Sequence, residues 1–239
     1  MLMSAYFVCH FLFGFIVSTR FLFSGNAEEQ FAAQRVRMVE DQIKDRGVRD
    51  ERVLAALRKI PRHDYLPERL RSLAYADQPL PIGLNQTISQ PYIVAYMTAQ
   101  LGLKGNEKIL EVGTGSGYQA AVLAEIVKEV YSIEILCPLA QRADSVLKTA
   151  GYKNIRVQCG DGYRGWPAAA PFDGIIVTAA PDHIPQPLID QLKTGGRMIL
   201  PLGENGQELV LVIKTASGIE KQILIPVRFV PMTGKALEK

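Results

Sequence analysis

Cysteine is scarce in these 239 residues: Cys9, Cys137 and Cys159 are all there is, with no Cys-x-x-Cys pair. That scatter excludes a structural zinc site and argues against a disulfide framework, so the thiols read as buried or incidental. Charge of one sign is lacking too. Twenty-seven basic residues face 24 acidic ones, net +3, with the signs interspersed. No basic stripe for a nucleic-acid partner results. Beyond residue 23 no apolar run is long enough to span a bilayer, and no internal repeat or low-complexity segment is present. What remains suits one sizeable α/β domain with appendages.

Residues 1–27 are compositionally foreign to that domain. Met1 to Phe23 is rich in Phe, Leu and Val, interrupted only by His10 and Arg20 among strongly polar side chains. Gly25-Asn26-Ala27 resembles a small-residue cleavage site. No basic residue precedes the apolar run, however, and Arg20 sits late in it. A signal, an uncleaved anchor and a start placed too early all remain open. The domain proper is expected over 28–239, with a helical appendage at 31–60.

Phe31 to Arg46 reads as an amphipathic helix with Val36, Val39 and Ile43 on one face, ended by Gly47. Asp50 should cap a second helix carrying Val53, Leu54 and Leu57, which Pro61 stops. Pro79 to Gln90 is turn-rich, and Pro91 to Leu101 is helical again. From Lys108 the alternation is regular. Strands are expected at Lys108–Val112, Val130–Ile133, Ile155–Gln158, Gly174–Val177, Met198–Pro201, Leu209–Lys214 and Gln222–Phe229. Helices are expected at Gln119–Val127, Pro138–Ala150 and Gln186–Leu192. Strand–helix–strand repetition means a parallel sheet with covered faces. The last two strands have only Ala216-Ser217-Gly218 between them, so they should close as an antiparallel hairpin at one edge.

The most informative stretch is Glu111-Val112-Gly113-Thr114-Gly115-Ser116-Gly117, where an apolar strand runs into alternate glycines and then a helix. Glycines there let backbone approach a ligand, and the helix aims free amides at the crevice. Glu134, closing the next strand, is placed to hold ribose hydroxyls. Cys159-Gly160-Asp161-Gly162 follows the third strand and should face the same crevice. Asp161 is a candidate acceptor for an adenine amine, or simply an Asp-Gly turn. Thr178-Ala179-Ala180-Pro181 would form a floor of small residues. Ser89, just ahead of Pro91, reads on local physics as a helix-capping hydroxyl. His63 beside Asp64, and His183, read as packing or surface histidines.

The spacing Gly-x-Gly-x-Gly preceded by an acid is similar to the first motif of class I methyltransferases, and differs from the Gly-x-Gly-x-x-Gly of dinucleotide sites. Gly83-Leu84-Asn85-Gln86-Thr87-Ile88-Ser89-Gln90-Pro91-Tyr92 resembles the signature of protein-L-isoaspartate O-methyltransferases. So do Pro171-Phe172-Asp173, Gly195-Gly196-Arg197 and Arg228-Phe229-Val230-Pro231-Met232-Thr233, in order from about Ala33 to the C-terminus. The resemblance implies a Rossmann-like α/β sheet, S-adenosylmethionine as cofactor, and isoaspartyl proteins or peptides as substrates. It implies Ser89 as the catalytic serine, with Gln86, Thr87, Ile88 and Thr233 on the substrate. It also implies Glu111, Gly113, Gly115, Gly117, Glu134, Asp161 and Gly162 on the cofactor, and no metal. Asn85 stands where bacterial relatives often carry glycine, and asparagine tolerates left-handed backbone. The donor is made inside cells, so a cytoplasmic location is expected and membrane contact only through residues 1–27. A monomer is the default, since no exposed heptad or apolar patch is readable. A methyltransferase for another carboxylate, or a binding module without activity, are the rival readings.

Overall fold

Seven strands make the central sheet of the computed structural model, which describes residues 27–204 and 206–237. They are β3 (Lys108–Val112), β4 (Glu129–Glu134), β5 (Ile155–Cys159), β6 (Phe172–Val177), β7 (Leu192–Leu202), β8 (Gln207–Thr215) and β9 (Gly218–Val227). A two-stranded hairpin, β1 (Leu80–Gly83) with β2 (Gln86–Ile88), stands apart from it. The helices are α1 (27–37), α2 (Glu51–Lys59), α3 (Pro91–Gln100), α4 (Tyr118–Ala124), α5 (Cys137–Thr149) and α6 (Gln186–Gln191).

Strand order in the large sheet is β5-β4-β3-β6-β7-β8-β9. Neighbours from β5 to β7 run parallel, while β7–β8 and β8–β9 are antiparallel. The chain lays down β3, β4 and β5 in one direction and then returns to the other side of β3 for β6. The order therefore reverses between β3 and β6, and a crevice opens at their carboxyl ends.

Period-2 alternation sends each strand's residues to opposite faces. Ile109, Ile176, Ile199 and Leu209 join the core under α2, α3 and α4, with Leu54, Met97 and Val122. Leu110, Ile175, Met198 and Val212 join a second cluster with Leu188 and Ile189 of α6. Both faces are covered, as a parallel sheet requires.

The appendage departs from its expected phase. After α1 the chain widens into a π-helical stretch, Met38–Lys44, and Met38, Val39 and Ile43 are fully buried. Val36 is 49 % exposed, so it does not share their face. Asp50 caps α2 as expected, accepting the Arg52 amide at 2.9 Å. The turn-rich Pro79–Gln90 segment folds as the β1–β2 hairpin, whose tip residues Leu84 and Asn85 are left-handed at φ 51° and 57°. Of the expected leader, 1–27, residues 1–26 lie outside the described residues, and Ala27 opens α1. Among the described residues no helix is long and apolar enough to cross a membrane.

Cysteine usage needs correcting. Cys137 and Cys159 are exposed and bridged as a disulfide, with Cα atoms 5.0 Å apart. β4 and β5 are adjacent and parallel, so the residue opening α5 meets the residue ending β5 at the same edge of the sheet. A separation of 22 residues across a βαβ unit leaves no spacing signal in the sequence. Closing a loop of that length should contribute about 2–4 kcal/mol by constraining the unfolded chain. Urea denaturation of Cys137→Ser/Cys159→Ser should show that loss, and wild type under reductant should match the double variant.

Candidate active site

The crevice at the β3–β6 reversal is a cleft of about 690 Å³. Its floor is the turn after β3. The Gly113 amide donates to the Ile133 carbonyl at 2.8 Å, and the Thr178 amide donates to the Val112 carbonyl at 2.8 Å. Thr178 Oγ1 also donates to the Gly113 carbonyl at 2.7 Å. Gly113 has φ +97°, and a Cβ there would collide with the Thr178 hydroxyl. The turn is thus locked from both flanking strands, and glycine is required at the contact.

Glu134 supplies the acid of the site. Its carboxylate is 6 % exposed and lines the cleft. Oε2 accepts the Gly115 amide at 2.9 Å and Oε1 accepts the Leu136 amide at 3.0 Å. Each oxygen keeps a lone pair for a ligand. Gly115 also lines the cleft at φ +53°, and a Cβ there would sit 3.4 Å from Ile82 Cδ1, in the gap between turn and hairpin.

The hairpin forms the facing wall through Gln86, Thr87 and Ser89. Ser89 does not cap α3: Gln90 holds the N-cap position and Pro91 the first turn. Ser89 lines the cleft, and its hydroxyl makes no hydrogen bond to another described residue. A C-terminal strap closes the third side. The Ala180 amide donates to the Val230 carbonyl at 2.8 Å, and the Met232 amide donates back to the Ala180 carbonyl at 2.7 Å. Arg228, Phe229, Met232 and Thr233 thereby line the cleft. Arg228 and Glu134 are the ionisable side chains among the lining residues.

Eight of the twelve residues expected at the site meet in this cleft: Gln86, Thr87, Ser89, Gly113, Gly115, Glu134, Gly162 and Thr233. Four lie behind it. Ile88 is 3 % exposed and packs in the core. Gly117 is the N-cap of α4 at φ +87°, where a Cβ would press on Leu147 and Ala143. Asp161 accepts the Tyr163 amide at 3.0 Å and the Lys235 amide at 2.9 Å, so its carboxylate pins the end of the strap. Glu111 is fully buried beneath the turn, on the helix-covered face of β3. The strap residue Arg228 and the hairpin-side Ile93 were not expected as lining residues. The family-like Arg228–Thr233 run was the one available hint.

Glu111 accepts a hydrogen bond from Ser132 Oγ, which shares another, 2.6 Å long, with Thr114 Oγ1. Among the described residues Glu111 Oε1 meets no group in hydrogen-bond geometry, with the Ala120 backbone nearest to serving it. Burial pushes this carboxyl up to about 8, the Ser132 bond opposing the shift. A neutral acid is the form such a pocket tolerates. His63 is 3 % exposed, stacks on Phe31 and meets the Tyr75 hydroxyl at 2.8 Å, a packing role. His183 is exposed and bonded to Tyr163 and Asp182.

A parallel sheet finished by an antiparallel hairpin, with a glycine turn and an acid after its first two strands, defines a class I methyltransferase. The sequence profile of the protein-L-isoaspartate(D-aspartate) O-methyltransferase family matches residues 33–237. The chain belongs to that family. It is 55 % identical over 202 residues to the protein-L-isoaspartate O-methyltransferase of a Picosynechococcus strain, covering 84 % of this chain and 91 % of that one. It is 54 % identical over 198 residues to that of Gloeobacter violaceus, covering 82 % and 97 %. A solved protein-L-isoaspartate O-methyltransferase superposes with TM-score 0.77 at 30 % identity, covering 84 % of this chain and 67 % of that one. A putative Plasmodium falciparum member, solved with S-adenosyl-L-homocysteine, gives 0.74 at 26 % identity, covering 83 % and 98 %.

The Glu111 carboxyl carries a pH signature. Its folded pKa lies above its unfolded value of about 4.5, so its contribution to stability is complete below that pH. The contribution falls as pH rises and is exhausted above about 8. From pH 6 to 7 the difference in unfolding free energy between wild type and Glu111→Gln should shift against wild type by roughly 1 kcal/mol, with the slope flattening towards pH 8. Urea titrations at pH 6, 7 and 8 check it, and a pH-independent difference would mean an ionised Glu111.

Proposed function

We propose that the protein is a repair methyltransferase, moving the methyl group of S-adenosylmethionine to the free α-carboxylate of L-isoaspartyl residues in damaged proteins. The observation that carries this reading is one cleft with Glu134 and the glycine turn on one wall and an uncommitted Ser89 hydroxyl on the other.

The nucleoside half of the donor suits the side built by Glu134, Ile135, Leu136 and Gly162. Glu134 would accept from the ribose hydroxyls. Gly162 lines the adenine side, and Asp161 would act there indirectly by fastening the strap at Lys235. The bound donor supplies a methyl group made electrophilic by its sulfonium. Gln86, Thr87 and Ser89 would hold the isoaspartyl carboxylate, with Ser89 donating to it. Thr233 closes the opposite edge.

This chemistry asks little of proton transfer. An α-carboxylate ionises near pH 3.5, so it is already the nucleophile at neutral pH. No base is required, and histidine is absent from the cleft's lining residues. Alignment and exclusion of water therefore carry the rate. Strap and hairpin supply both by covering the crevice from two sides. The resulting ester can reclose to a succinimide and open to a normal aspartyl linkage.

We assign the working enzyme to the cytoplasm as a monomer, where its donor is made. There the Cys137–Cys159 pair would rest largely as thiols, placed to close on oxidation.

Labelled donor, incubated with paired peptides containing isoaspartate or aspartate, tests the assignment. Base-labile label should appear on the isoaspartyl peptide alone, and label on neither would leave a binding module. Ser89→Ala should lower turnover by roughly 10²-fold while S-adenosylhomocysteine binding stays near wild type. Full activity in that variant would remove Ser89 from the site.

A further inference from the structure

Arg62 heads the fully buried side chains, a guanidinium at 0 % exposure in the 3₁₀ turn Arg62–Tyr65. Among the described residues no carboxylate pairs with it. Instead Nε donates to the Ala74 carbonyl at 2.8 Å, and Nη2 donates to the Ser89 carbonyl at 2.7 Å. Its Cζ lies 4.8 Å from the centre of the Tyr118 ring, and Tyr118 opens α4 directly after the glycine turn. Among the described residues neither Nη1 nor the Tyr118 hydroxyl meets hydrogen-bond geometry with another group, though the two groups interact with each other.

A cation placed there loses its hydration without gaining a counter-ion, which burial alone would never select. A leucine or methionine would fill much of the same volume more cheaply. What only the guanidinium offers is a rigid planar fork reaching two carbonyls while its face lies on an aromatic ring. One of those carbonyls belongs to Ser89, which lines the cleft. The hairpin's other strand is held in the same manner. Arg142 Nη2, from α5, donates to the Ile82 carbonyl at 2.6 Å.

We propose that Arg62 is a positioning residue for Ser89: its guanidinium fixes the Ser89 peptide plane against the first residue of α4, and so sets the aim of the serine hydroxyl across the cleft. The proposal rests on the role given to Ser89 in the proposed function. Arg62 itself touches neither substrate. It joins the segment around Ala74, the substrate wall at Ser89 and the first residue of α4 at one point.

A double-mutant cycle tests it, using Arg62→Lys, Ser89→Ala and the pair. A lysine keeps the charge but cannot fork to both carbonyls. Arg62→Lys should bind S-adenosylhomocysteine within about threefold of wild type by calorimetry and keep the KM for donor. Its kcat on an isoaspartyl peptide should fall about tenfold or more. On the Ser89→Ala background the same change should cost less than about twofold, because its effect passes through the serine. An undiminished loss on that background, or no loss on the wild-type background, overturns the proposal. Should Arg62→Lys melt below the assay temperature, Arg62→Gln runs the same cycle. A fold lost in both variants also overturns it, since Arg62 would then serve the core alone. Wild-type turnover in Ser89→Ala would instead remove the serine assignment on which the proposal rests, and that single variant reports it separately.

Discussion

The Glu134 carboxylate accepts the Gly115 amide at 2.9 Å, and the site depends on that bond. It ties the turn after β3 to the end of β4, across the two strands that begin the sheet. The same carboxylate holds the Leu136 amide, so the chain leaving β4 is fixed by the group that faces the cleft. A charged acceptor on two backbone amides is stronger than neutral bonds would be, and it leaves the acid oriented before any ligand arrives. Glycine suits the turn's left-handed backbone at Gly113 and Gly115, and at Gly113 it also leaves room for the Thr178 hydroxyl.

Around that point the other walls are hung by polar contacts rather than by packing alone. Guanidinium groups from α5 and from the 3₁₀ turn Arg62–Tyr65 hold β1 and the residue just after β2 by backbone carbonyls. The strap pairs with Ala180 and is fastened at Asp161. Three segments distant in sequence thus converge on one crevice at the point where strand order reverses. A methyl transfer to an ionised carboxylate needs that geometry more than it needs any acid or base.

The sheet was legible because apolar runs of four to six residues alternated with helical spacing, and because the glycine turn followed one such run. The final hairpin was readable from its short turn. Other features were hidden for physical reasons. β1 and β2 are four and three residues long, with Pro81 inside one, and resemble a loop by composition. The phase of the first helix failed at Val36 because a π-helical stretch changes the angle between successive residues. Two glutamates lie at or one residue before the ends of two adjacent strands, and sequence does not tell which faces the cleft. Glu111 shares its face with Ile109 beneath the helices, whereas Glu134 stands at the strand's very end. The disulfide was invisible because β-sheet adjacency, not spacing, brings its halves together. Asp161 has the expected address after β5, and one carboxylate oxygen accepts the Tyr163 amide of its own turn while the other accepts the Lys235 amide of the strap.

A crystal structure with S-adenosylhomocysteine bound tests the central claim most directly. The account places both ribose hydroxyls within hydrogen-bond distance of Glu134, with the Gly115 amide bond kept and the sulfur turned toward Ser89. A ligand lodged elsewhere, or a ribose that leaves Glu134 untouched, would contradict it.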